Sequence, residues 1–361
     1  MNQANPSNIL VRAPNWIGDQ ILAYPFYYFL RKKYPKAHIG VVGTDWVTDI
    51  QFMDCVDSVY VLPRMKGLGL LAKSKQIAKF ASEISKNKKW DLGFSLPNSF
   101  SAALFLRLAG VKKRVGYSGD ARSWLLTDVM KWNPDPSIHR SQAYLNLLDS
   151  KISTQKFWTL PAENDLDPPI QGEKDHFEPK KSWPKIQPLA TPSGDYWVLA
   201  PGATAESRRW PIEYFLELVE KVGDRLKMPG VIVGGPAEVD LAQNLIQRAN
   251  TKLIDMTSQG SVASLYRLFA GAKFTVCNES GLAHVASLCG SPVQIVCGAA
   301  NPNRTAPLGP GKVRVSINPV DCWPCERNTC SQPDASKIKC LRGMDAERIY
   351  QEVVSLARIR A

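Results

Sequence analysis

Ten short apolar runs alternating with helical patterns constrain this chain more than any other feature. In the first half they are Ile9-Leu10-Val11, Ile39-Gly40-Val41-Val42, Val59-Tyr60-Val61-Leu62, Leu92-Gly93-Phe94-Ser95-Leu96 and Arg114-Val115-Gly116-Tyr117. In the second they are Trp197-Val198-Leu199-Ala200, Val231-Ile232-Val233-Gly234, Lys252-Leu253-Ile254-Asp255, Phe274-Thr275-Val276-Cys277 and Val293-Gln294-Ile295-Val296. Strands that read as near-continuous apolar runs are buried on both faces, which is the condition of parallel sheets covered by crossover helices. The pattern predicts an α/β protein with two doubly wound domains, and ligands at the carboxyl ends of the strands. A chain of 361 residues is long enough for two domains, each with its own core.

The predicted boundaries follow from composition. Residues 1–165 form an N-terminal domain, 166–192 a linker and 193–344 a second domain. The stretch from Pro161 to Pro192 holds seven prolines and many charges with no sustained period, as interdomain segments do. In residues 345–361, Asp345 suits the cap of a helix from about Ala346, with Ile349, Val353 and Leu356 on one face. That helix is expected to return to the N-terminal domain.

No apolar run approaches the roughly 20 residues of a membrane span, and Met1 to Ser7 lacks the basic and apolar regions of a signal peptide. A cytoplasmic location is expected. The formal charge of +12 is divided unequally: residues 1–160 hold 22 Lys/Arg against 11 Asp/Glu, whereas the remainder holds 23 against 22. An excess confined to one half suits an anionic partner there, either nucleic acid, an anionic membrane surface or a phosphorylated substrate. No nucleic-acid-binding motif accompanies it, so no nucleic acid is expected. Of the eight cysteines, Cys55, Cys277, Cys289 and Cys297 lie in apolar surroundings and read as small core residues. Cys322-Trp323-Pro324-Cys325 with Cys330 and Cys340 has a partial likeness to a zinc site, but the later spacings are irregular. An ordered or redox-labile loop is the other reading, and no metal or cofactor is assigned.

Four turns carry chemistry. Asn278-Glu279-Ser280-Gly281-Leu282-Ala283-His284 joins a strand to a helix and places a carboxylate, a hydroxyl and a glycine beside the unpaired amides of a first helical turn. It is suited to a ribose and a diphosphate. Arg12-Ala13-Pro14-Asn15-Trp16-Ile17-Gly18-Asp19 repeats the arrangement near the N-terminus. Pro201-Gly202-Ala203-Thr204-Ala205-Glu206-Ser207-Arg208-Arg209-Trp210-Pro211 offers Thr204 and an arginine for a diphosphate. Gly235-Pro236-Ala237-Glu238 puts a carboxylate at a further strand end, suited to a ribose, a base edge or a helix cap.

These turns, with Pro97-Asn98-Ser99-Phe100, Arg114-Val115-Gly116-Tyr117, Gly234-Gly235-Pro236 and the cysteine loop, occur in an order that resembles the ADP-heptose:lipopolysaccharide heptosyltransferases over essentially the full length. The resemblance implies a GT-B fold: two Rossmann-like domains facing a cleft, acceptor on the first and nucleotide-sugar donor on the second. It implies ADP-heptose as donor, the lipopolysaccharide inner core as lipid-linked anionic acceptor, and peripheral contact with the inner membrane of a Gram-negative bacterium. It carries the general base to Asp19, the phosphate loop to Thr204 and Arg208, a nucleoside carboxylate to Glu238, and the donor turn to Gly281, Leu282 and His284, with Ser280 among its amides. Glu279 departs from the family's usual Asp.

Glycosyl transfer needs a stabilised leaving diphosphate and an acceptor hydroxyl relieved of its proton. No Asp-x-Asp pair marks the donor side, so helix amides with Arg208 and Thr204 take the diphosphate. Asp19 takes the proton, and one base opposite one leaving group implies inversion. Capping of the first helix is the structural alternative for Asp19. On the acceptor side stand Arg12, Asn98, Trp16, suited to a sugar ring or to a core, and His139, suited to a sugar phosphate. His284 suits either a phosphate or a buried backbone group. Three other readings stay open: a GT-B transferase for another nucleotide sugar, a dinucleotide oxidoreductase, which lacks a G-x-G-x-x-G after the first strand, and a non-catalytic anion or nucleic-acid binder.

Overall fold

The computed structural model describes residues 5–359 except 66, 68, 87, 133, 134, 136 and 155–176. Two compact units divide the described residues: those of 5–154 with 178–184, and 177 with those of 185–359. In the first unit the strands are β1 (Asn8–Arg12), β2 (His38–Gly43), β3 (Ser58–Val61), β4 (Leu92–Ser95), β5 (Lys113–Tyr117) and β6 (Asp128–Met130). In the second they are β7 (Trp197–Ala200), β8 (Gly230–Ile232), β9 (Leu253–Asp255), β10 (Thr275–Asn278), β11 (Val293–Val296) and β12 (Val313–Ser316).

Both sheets are parallel and share one topology. The orders are β3-β2-β1-β4-β5-β6 and β12-β11-β10-β7-β8-β9, so each unit is doubly wound with its order reversing at the centre. The central strands are the most apolar because helices cover both faces: Ile9, Leu10, Val11, Val198, Leu199, Val276 and Cys277 are wholly buried. Register follows from this, with Ile9 opposite Ile39 on one side and Leu92 on the other. Each of the ten apolar runs overlaps a strand. The two strands without such a run, β6 and β12, close one edge of each sheet. No helix among the described residues is long and apolar enough to cross a membrane.

Two boundary expectations change. Of the linker expected at 166–192, residues 166–176 lie outside the described residues. Residues 178–184 pack on the first unit, where Ser182 donates to Asp54 Oδ1 at 2.6 Å and Trp183 is buried. The C-terminal helix, Ala346–Ala357, is capped by Asp345 as expected, but its destination is corrected. Ile349, Tyr350 and Val353 enter the core of the second unit beside Phe215, Leu218 and Val222 of helix Ile212–Leu226. Glu347 fastens it there, 2.7 Å from Lys221 and 3.0 Å from Arg225. An amphipathic stripe announces that a helix will be covered and is silent about what covers it.

Candidate active site

In doubly wound sheets the loops at the reversal of strand order splay apart and leave a crevice at the carboxyl ends. In the first unit these are the loops after β1 and β4. The β1 loop holds Asn15 and Trp16 and leads into helix Ile17–Leu22, whose N-cap is Trp16, so Asp19 stands in the first turn and is not the cap. Its carboxylate, about a quarter exposed, lies 3.9 Å from Arg140 Nε. Arg140 opens helix Arg140–Leu148, which packs against helix Ile17–Leu22. Beneath it Tyr144 is buried with its hydroxyl facing the pair; burial first, and then the Asp19 charge, push that phenol well above its ordinary range.

Arg12 is 5% exposed. Its guanidinium donates to Asn15 Oδ1 at 2.5 Å and to the carbonyls of Ala13 and Val42. Among the described residues it has no carboxylate partner, and burial pulls it down to about 10 against the opposing effect of Tyr27. A buried cation without a counter-ion is costly unless something anionic arrives. Arg12 lines a cavity of about 560 Å³ with Trp16, Trp46, Arg64 and Lys73. Trp46 donates to Asn15 O at 2.6 Å, while its ring and that of Trp16 stay half or more exposed. Asn98 is exposed on the β4 loop, just before helix Phe100–Leu108, whose cap is Ser99. His139 is different: it is 2% exposed and its Nδ1 accepts from Ser141 N at 3.3 Å as the cap of the Arg140 helix. Its visible role is to place Arg140.

The second unit repeats the plan with loops after β7 and β10. Asn278, at the end of β10, is wholly buried and ties the two loops together. It accepts from Trp210 N at 2.9 Å and donates to Pro201 O at 2.6 Å. Next to it, Glu279 Oε2 lies 3.0 Å from Arg208 Nη1. Ser280 is the extended N-cap of helix Gly281–Leu288, and its side chain caps nothing. Its buried hydroxyl has no hydrogen-bond partner among the described residues. Gly281 and Leu282 form the first turn, with His284 buried one turn in. Thr204 is exposed on the β7 loop. Arg209 is a brace for that loop, donating to Ala203 O at 2.8 Å. Glu238 accepts from Gly235 N at 2.8 Å and lies so close to the β7 loop that a Cβ at Gly202 would stand 2.4 Å from its Cγ. Capping and a position beside the loop therefore coexist in Glu238.

The cysteine segment has a role that spacing did not disclose. Ser207 N donates to Asn328 O at 3.1 Å and Ser207 Oγ to Arg327 O, while Glu326 N donates to Ala299 O at 2.8 Å and Trp323 Nε1 to Gly298 O at 2.9 Å. The segment thus braces the loops after β7 and β11. Its four thiols are free, and among the described residues no group of three or more His, Cys, Asp or Glu side chains is placed to hold a metal ion. Cys55, Cys277 and Cys297 are core residues as expected; burial raises their thiols far above the ordinary range, as it does for Cys289.

Two Rossmann-type units, each with an anion-suited turn at its switch point, give the framework of a nucleotide-sugar glycosyltransferase. Residues 77–335 match glycosyltransferase family 9 (heptosyltransferase), and the chain belongs to that family. It is 27% identical over 321 residues to lipooligosaccharide heptosyltransferase 2 of Haemophilus ducreyi, covering 87% of this chain and 89% of the relative. It is 26% identical over 309 residues to lipopolysaccharide heptosyltransferase 2 of Escherichia coli, covering 83% and 85%. The solved structure of E. coli ADP-heptose LPS heptosyltransferase II superposes with a TM-score of 0.73 at 22% identity, covering 97% of this chain and 98% of that one. The fold is GT-B.

Proposed function

We propose that the protein moves a heptose from ADP-heptose to the inner core of a lipid-linked lipopolysaccharide acceptor, with inversion, and works at the cytoplasmic face of the inner membrane. The observation that carries the donor assignment is the Arg208–Glu279 pair beside the N-terminus of helix Gly281–Leu288. A guanidinium held in place next to first-turn amides supplies a fixed positive field for a leaving diphosphate. Thr204 adds a hydroxyl, Glu238 takes the nucleoside side, and Gly281, Leu282 and His284 complete the turn. On the first unit Asp19 is the general base, a role contributing roughly 10²- to 10⁴-fold. Arg12, Trp16 and Asn98 bind the acceptor: the indole stacks on a sugar face, and buried Arg12 meets an anionic group.

Calorimetric titration tests this reading. ADP should bind in preference to GDP and UDP, with an affinity unchanged by excess chelator, and the protein should transfer heptose from ADP-heptose. Equal affinity for all three nucleotides would remove the donor assignment, and a tenfold loss with chelator would remove the amide-and-arginine account of the diphosphate.

A further inference from the structure

The excess charge of the N-terminal half is concentrated on one segment. Residues 64–89 carry eight Lys/Arg and a single acidic residue, Glu83, and so hold most of that half's surplus. The core of the segment is helix Leu70–Ser85. Ile77, Ala81 and Ile84 are buried against Phe105 and Leu106, which fixes the helix on the unit and determines which face looks outward. The outward stripe runs through Leu71, Lys75, Lys79, Glu83 and Lys86, all exposed, so that three lysines face outward with one carboxylate among them. Leu71 is 82% exposed, more than any other large hydrophobic among the described residues. Among the described residues none of these three lysines has an ion pair, whereas Lys33, Lys112 and Lys113, elsewhere on the unit, each face an aspartate.

Unpaired lysines in a row with an exposed leucine at their head suit one kind of partner. An anionic bilayer attracts the ammonium groups, the leucine enters the headgroup boundary, and the packed face keeps the helix in the plane of the surface. We propose that the Leu71–Lys75–Lys79–Lys86 face is the membrane-docking surface of this protein, its occupant the anionic phospholipid headgroups of the bilayer that carries the acceptor. The proposal rests on the membrane-facing part of the function given above. These lysines belong to no element of the donor or base site.

The test compares three full-length proteins by co-sedimentation with vesicles: wild type, the triple variant Lys75→Gln, Lys79→Gln, Lys86→Gln, and a control with the same charge change on the same half, Lys32→Gln, Lys36→Gln, Lys151→Gln. Circular dichroism checks that each is folded. With phosphatidylcholine vesicles containing phosphatidylglycerol, the docking triple should bind on the order of 10²-fold more weakly than wild type, each lysine near the surface being worth about fivefold. The control should stay within about threefold of wild type, because charge away from the surface is screened. Equal losses in both triples, or none in the docking triple, would overturn the assignment of this face. Failure of wild type itself to prefer anionic over pure phosphatidylcholine vesicles would instead overturn the membrane reading.

Discussion

Arg208 and Glu279 meet at 3.0 Å across the switch point of the second unit, joining the loop after β7 to the turn after β10. The carboxylate is almost covered, with 11% of its side chain exposed, and the guanidinium keeps 31%. In the donor site proposed above, the buried carboxylate orients the guanidinium, and the more open guanidinium meets the diphosphate.

If Glu279 acts through Arg208, their substitutions will not add. Arg208→Ala should weaken ADP binding by roughly 1.5–3 kcal/mol, the loss of a charge-assisted hydrogen bond. Glu279→Gln should cost less, and the double variant should bind as Arg208→Ala does. Calorimetry on the three variants decides it: a double variant that shows the sum of both losses places Glu279 in direct contact with the ligand.

Gly202 is fixed by its neighbour. A Cβ there would stand 2.4 Å from Glu238 Cγ and 2.8 Å from its Oε1, so Gly202→Ala should destabilise the second unit by about 1–3 kcal/mol, the usual cost of overpacking. Adding Glu238→Ala removes the obstructing atoms and should restore most of the loss. Urea denaturation that finds the double variant no better than Gly202→Ala would show that the strain lies elsewhere.

The C-terminal helix makes a pH prediction. Hydrogen bonds from Lys221 first, then from Gln351 and Arg225, hold the Glu347 carboxyl down at about 2 from an ordinary 4.5. A carboxylate with a depressed folded-state value contributes stability that is present above its unfolded value and lost as pH falls through the folded one. Glu347→Gln should therefore lower the melting temperature at neutral pH, and the gap from wild type should narrow between about pH 4.5 and pH 2. A gap of constant size across that window would assign the effect to packing instead.

How far the chain could be read from sequence depends on whether the controlling interaction is local. Strand runs such as Val198-Leu199 and Val276-Cys277 announce themselves because burial on both faces leaves no polar position to alternate with. Edge strand β6, half-exposed as Asp128-Val129-Met130, has no such run and was missed. The turns carrying Asp19 and Glu279 were legible because a helix start after a strand uses short-range chemistry. The Arg208–Glu279 pair, the Asp19–Arg140 contact and the grip of Arg327 and Asn328 on Ser207 join positions far apart in the chain. Only the fold brings them together.

The decisive prediction concerns Asp19. Trp16 is the N-cap of helix Ile17–Leu22 and Asp19 stands in its first turn. The Asp19 carboxylate lies a quarter exposed at the carboxyl end of β1, with Arg140 at 3.9 Å and the Tyr144 hydroxyl behind. Asp19→Asn preserves size and most hydrogen bonding and removes only basicity. Folding and ADP affinity should stay near wild type while turnover falls by about 10²-fold or more. Arg140→Lys keeps a cation but loses the planar donor, and should retain more activity than Arg140→Ala, with ADP affinity unchanged in both. Steady-state transfer with purified, folded variants is the measurement: an Asp19→Asn enzyme working at more than a third of the wild-type rate would put the base elsewhere and leave Asp19 with a structural part only.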